Sequence, residues 1–139
     1  MITKEIEREH IEYACMKKLL RVFPKKLTIE SVARWNSYAS GLYRMNIFVS
    51  GEPYTTGINY IVSVTTFDLT AEDLYNNKLS SGMYGDNGEF DTYAEAFLFG
   101  AKAAKNLITK RIKEIERIRK ERIKNEKNNS NKRSTEIAR

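Results

Sequence analysis

Thr92-Tyr93-Ala94-Glu95-Ala96-Phe97-Leu98-Phe99-Gly100-Ala101-Lys102-Ala103-Ala104-Lys105-Asn106-Leu107-Ile108 is the stretch on which the fold turns. Thr92 followed three residues later by Glu95 is a capping box, which satisfies two backbone donors that a helix start leaves unpaired. Ala94, Phe97, Ala101, Ala104 and Ile108 return on one face at helical spacing, with Leu98 and Leu107 beside them. Gly100, Ala101, Ala103 and Ala104 allow close approach to a sheet or another helix. Over residues 110–124 only Ile112, Ile115, Ile118 and Ile123 are apolar, among opposite-charge pairs such as Lys110–Glu114, Glu116–Lys120 and Arg117–Glu121. A helix over 92–124 would be about 50 Å long, against a radius of gyration near ~13 Å for a domain of about 100 residues. Its distal half, 109–124, is therefore expected to overhang the core, and its isoleucines to form a seam with another helix. The polar stretch 125–139 reads as a disordered tail.

Working back from this helix, residues 4–22 form an amphipathic pattern through Ile6, Tyr13, Met16, Leu20 and Phe23, with Thr3 as cap and Pro24 as stop. Residues 42–49 and 58–67 alternate with period two. Tyr43, Met45, Ile47 and Val49 line one face of the first, and Ile58, Tyr60, Val62 and Val64 one face of the second. The segment 50–57 between them carries glycine and proline and reads as a hairpin loop longer than two residues. Residues 27–36 fit a strand through Leu27, Ile29, Ala33 and Trp35, while Thr28 could cap a helix; the alternation favours the strand. A short helix is expected at 69–74 and a glycine-rich loop at 80–91. The fold class is α+β: a small antiparallel sheet of two to four strands, packed by an N-terminal helix and a long, projecting C-terminal helix, in one domain over 1–124.

The chain carries a net charge of +6, unevenly placed. Residues 68–95 hold seven acidic and one basic side chain; residues 102–124 hold ten basic and three acidic ones. An acidic segment followed by a basic helix points to a partner surface or to self-association. No apolar run is long enough to span a membrane, the charged N-terminus lacks the apolar stretch of a secretory signal, and the single Cys15 has no partner for an internal disulfide. These features point to the cytoplasm, of the source cell or of a host.

Little in the sequence speaks for catalysis. His10, the only histidine, lies among Arg8, Glu9 and Glu12 and reads as a solvated surface residue; Cys15, in mid-helix beside Met16, reads as an inert thiol. Asp86, Glu89 and Asp91 lack the spacing of a calcium loop, and a turn leading to a helix cap accounts for them. The glycines at 82, 85 and 88 follow neither a dinucleotide nor a P-loop order. No cofactor is expected.

In outline, helix, strands and an alanine-rich last helix with Ala101-Lys102-Ala103-Ala104-Lys105, the chain resembles the double-stranded-RNA-binding domain. That family sets lysines at the start of its last helix to meet phosphates, where this chain has Asp86, Glu89, Asp91 and Glu95. Glu95–Ile108 also resembles the terminal helix of small uncharacterised proteins of bacteriophages and mobile elements, which implies an accessory role such as host-defence antagonist, regulator or minor structural component.

The expectation is a non-catalytic protein-binding or oligomerising module, with a protein partner or a second copy bound through two surfaces. One is the helix seam of Ile112, Ile115, Ile118, Arg111, Arg119 and Arg122. The other is the acidic loop with Tyr84, Asp86, Asn87 and Glu89. The alternatives are nucleic-acid binding by the basic C-terminal helix and tail, and binding of a small nucleotide by the 80–91 loop.

Overall fold

The computed structural model of the chain describes residues 3–42, 45–54, 57–67, 78–84 and 90–138. Two helices, α1 (Lys4–Arg21) and α2 (Ile29–Leu42), precede three strands, β1 (Asn46–Tyr54), β2 (Gly57–Phe67) and β3 (Lys78–Tyr84), and the long helix α3 (Tyr93–Ala138) closes the chain. The strands form an antiparallel sheet in the order β1-β2-β3. The fold is α+β. The expected short helix at 69–74 lies outside the described residues, as do Tyr43, Asp86, Asn87 and Glu89.

α3 starts where its sequence places it: the Glu95 amide donates to Thr92 Oγ1 at 3.1 Å. Its small-residue face lies on the sheet. Ala96, Ala101 and Ala104 are fully buried, and so is Ile108. Ile47 and Val49 of β1 pair with Val64 and Val62 of β2, so these four side chains share one sheet face. Gly100 is the point of closest approach: a Cβ there would stand 2.6 Å from Ile47 Cγ2 and 2.7 Å from Val62 Cγ2. The far end of β2 is less enclosed than its alternation predicts, for Ile58 is 53% exposed while Val62 and Val64 are buried.

Four expectations are corrected. Residues 29–42 are helical, not a strand over 27–36. Thr28 and Ser31 cap reciprocally, the Ser31 amide donating to Thr28 Oγ1 at 3.1 Å and the Thr28 amide to Ser31 Oγ at 3.0 Å. The buried residues Val32, Trp35 and Ala39 then fall on one helical face, so the alternation through Leu27, Ile29, Ala33 and Trp35 was coincidental. Second, the β1–β2 connection is tight. Tyr54 pairs with Gly57, leaving two residues between the strands, and Gly57 takes φ +142°, a conformation that favours glycine. Pro53 is accommodated because β1 is an edge strand and needs no amide on its outer side. Third, part of the expected 80–91 loop is strand β3. Fourth, α3 does not stop at Lys124 but runs to Ala138; the stretch 125–138 is polar but holds no glycine or proline to break it.

α2 also shields the exposed edge of β1. Asn36 copies a neighbouring strand, its amide nitrogen donating to the Ile47 carbonyl at 3.2 Å and its side-chain oxygen accepting from the Ile47 amide at 3.0 Å. Ser40 Oγ donates to the Met45 carbonyl at 2.8 Å. Backbone groups that would invite another strand are thus satisfied from within.

Gly100→Ala is expected to destabilise the protein by about 1–3 kcal/mol, the usual cost of overpacking, although alanine is the better helix former. Urea denaturation measures it; an unchanged or raised midpoint would contradict the contact with Ile47 and Val62.

Candidate functional site on the C-terminal helix

The distal half of α3 was expected to offer its isoleucines to a partner. Instead α1 lies antiparallel along it. Ile112 and Ile115 are buried, Ile118 is half-buried, and Met16 and Leu19 of α1 are buried in the same region. The seam is thus covered within the chain at Ile112 and Ile115, while Ile123 farther along is 55% exposed, and this is the principal correction to the sequence reading of the site.

The charges flanking the seam are matched in detail. Glu12 and Arg111 form a bidentate pair, Nε to Oε2 at 2.9 Å and Nη2 to Oε1 at 2.7 Å. Glu12 is buried, with 10% of its side chain exposed against 35% for Arg111. Glu9 and Arg122 form a second bidentate pair at 2.9 and 3.1 Å. Between the two pairs, Arg119 Nη2 donates to His10 Nδ1 at 2.8 Å, and its guanidinium lies 4.0 Å from the centre of the Tyr13 ring. Arginine only donates, so His10 Nδ1 is the acceptor here. Arg119 Nε has no hydrogen-bond partner; the nearest carboxylate oxygen, on Glu9, is 3.9 Å away. The Tyr13 hydroxyl donates to Glu116 Oε2 at 3.0 Å. His10 is thus an interhelical contact, not the merely solvated residue its sequence neighbours suggested.

Hydrogen bonding to Arg122 holds the Glu9 carboxyl below its ordinary value of 4.5, against an opposing effect of burial. Burial pushes the Cys15 thiol up, away from a reactive thiolate. Among the described residues, no three of His, Cys, Asp and Glu gather closely enough to hold a metal ion. A cleft of about 250 Å³ beside the seam is lined by Glu12, Arg111 and Glu114, which pair with one another, with Met16, Thr66, Leu107 and Lys110.

Of the second expected surface, only Tyr84 is described. It is half-buried, and its ring packs edge-on with that of Phe99, the centroids 5.1 Å apart. Phe90 joins this cluster, and its carbonyl accepts from the Tyr60 amide at 3.1 Å.

What α3 leaves to solvent is a row of cations. Lys113, Arg117, Lys120, Lys124 and Lys127 follow one another at steps of four, three, four and three residues, which places them on one stripe opposite Ile108, Ile112 and Ile115. Lys110 stands at the head of that stripe, and all six are exposed. Arg117 pairs with Glu121 at 2.9 Å. The five lysines make no ion pair among the described residues. From Lys110 to Lys127 the ridge is about 26 Å long. Arg111, Arg119 and Arg122 meet α1, and the exposed lysines, which the sequence groups with them in one basic helix, form a separate stripe. The signal was present in the steps of three and four, but it emerges only once the arginines are assigned to α1.

Comparison with family models, with curated proteins and with solved structures gives no match. No helix among the described residues is long and apolar enough to cross a membrane.

Glu12→Ala leaves Arg111 facing a partly buried seam without its partner. Breaking a buried pair costs about 3–5 kcal/mol, and the exposure of Arg111 reduces this to about 2 kcal/mol. Thermal or urea unfolding measures the loss; a change under about 0.5 kcal/mol, the range of ordinary surface substitutions, would contradict it.

The Glu9 pair predicts an acid sensitivity. Because the folded-state pKa is lowered, its stabilisation is complete above the ordinary 4.5 and is lost as pH falls through the lower folded value. Glu9→Gln should reduce stability at neutral pH and flatten the dependence of stability on pH in the acid range. Unfolding measured across a pH series checks both; an unaltered acid limb would count against the pair.

Proposed function

We propose that this chain is a non-catalytic nucleic-acid-binding protein that grips the phosphate backbone through the lysine ridge of α3. The observation that carries the reading is the division of charge on that helix: Arg111, Arg119 and Arg122 are held by α1, while Lys110, Lys113, Lys120, Lys124 and Lys127 stand exposed and unpaired on the opposite side. Lysines in a row suit contact with a repeating anion, where charge matters more than geometry. The ridge offers no planar, bidentate recognition of bases, so binding is independent of sequence. The glutamates interspersed along the helix have partners of their own: Glu116 with Tyr13, Glu114 with Arg111 and Glu121 with Arg117. Self-association through the isoleucine seam is the less favoured reading, because Ile112 and Ile115 are buried.

Fluorescence anisotropy with a short random-sequence duplex tests the proposal. With five phosphate contacts the logarithm of affinity should fall with the logarithm of salt at a slope of about −4.5, close to −0.9 per contact. The triple variant K113E/K120E/K124E should lose most of the affinity and most of the slope while unfolding at the wild-type midpoint. Absence of binding at about 50 mM salt, where phosphate contacts are strongest, would overturn the proposal, as would a triple variant that binds like wild type.

A further inference from the structure

A second surface shares no residue with the ridge. Where α1 gives way to α2, Val22, Pro24, Ser31, Arg34, Trp35 and Tyr38 line a cleft of about 420 Å³, within the size range of pockets that take small ligands. Trp35 gives it a fixed wall. The residue is 4% exposed, its Nε1 donates to the Leu19 carbonyl at 3.0 Å, and its ring packs edge-on with that of Phe23, the centroids 5.0 Å apart. Val22 and Tyr38 are large apolar groups left exposed beside it.

The polar groups of the cleft are few and of one sign. Ser31 Oγ is committed, donating toward the Lys26 and Thr28 carbonyls and accepting from the Thr28 amide. Arg34 is exposed and makes no ion pair among the described residues, not even with Glu30 one turn earlier on α2. A second cation stands at the rim, Lys18 Nζ lying 6.0 Å from the centre of the Tyr38 ring. No lining residue is acidic. A guanidinium with free donors at the mouth of a preformed apolar cleft selects a carboxylate, which it can take through two parallel hydrogen bonds.

We infer that this cleft binds an apolar group carrying a carboxylate, the apolar part against Trp35, Val22 and Pro24 and the carboxylate on Arg34. Two sources present that chemistry: a free aryl or alkyl carboxylate, and the C-terminal residue of a peptide that ends in a large apolar side chain.

Trp35 is the only tryptophan, so its emission reports on the cleft directly. The full chain is titrated with 3-phenylpropionate, with its amide and with 3-phenylpropylamine, and then with a short peptide ending in phenylalanine, its C-terminus free or amidated. A saturable change in Trp35 emission is expected with the free carboxylates, with the amides and the amine weaker by about tenfold or more, as befits loss of a charge-assisted hydrogen bond. Arg34→Gln, at an exposed position, should unfold at the wild-type midpoint and abolish the preference for carboxylate. Tighter binding of the peptide than of phenylpropionate identifies a chain terminus as the ligand; the reverse identifies a free acid. The inference is overturned if no probe gives a saturable change, if amide and carboxylate bind equally, or if Arg34→Gln keeps the preference.

Discussion

The bidentate bond between Glu12 and Arg111 is the constraint from which the arrangement of this protein follows. It joins residues 99 positions apart at 2.7 and 2.9 Å. Together with the Glu9–Arg122 pair it fixes the register and direction of α1 against α3, with Met16, Leu19, Ile112 and Ile115 buried in the same region. Buried ion pairs contribute less to net stability than to specifying one arrangement over its alternatives. Here the specified outcome is which face of α3 turns inward. Once Arg111, Arg119 and Arg122 face α1, helical geometry alone sends Lys113, Lys120, Lys124 and Lys127 outward.

The same helix serves two layers in succession. Near its start, Gly100 and the alanines let it lie against Ile47 and Val62 of the sheet, an approach that any Cβ at Gly100 would obstruct. Farther on it is the partner of α1, and its last turns carry the helix beyond the residues that α1 engages. A single rigid element therefore ties the sheet to the seam and presents a straight run of charge, which suits a ligand whose own charge repeats along a line. The Trp35 cleft lies at the other end of α1, where the chain turns into α2, and its chemistry is of a different kind: Arg34, with Lys18 at the rim, over apolar walls.

Local patterns were legible in the sequence, and distant pairings were not. Thr92 and Glu95 announced the start of α3, and Val62 and Val64 the inward face of β2, because these signals lie within a few residues of one another. The stretch from Leu27 to Trp35 misled, since its apolar residues fit period two as well as a helical face; the Thr28–Ser31 cap was the deciding feature, and it was outweighed. The site was misread for a different reason. Glu9, His10 and Glu12 look like the solvated side of an amphipathic helix, and nothing local shows that they meet Arg111, Arg119 and Arg122. The isoleucine stripe of α3 and the glutamates in the first half of α1 lie about a hundred residues apart, and no local pattern joins them.

The most direct test of this account is a charge-exchange cycle on the pair itself, followed by urea unfolding. Glu12→Arg and Arg111→Glu should each destabilise the protein, and the double exchange should recover much of the loss, giving a coupling energy of about 1–3 kcal/mol, as expected for residues in direct contact. Losses that simply add, with coupling below about 0.5 kcal/mol, are the mark of independent sites. That result would mean that α1 does not close the seam, and would return the isoleucines and arginines of α3 to an outside partner.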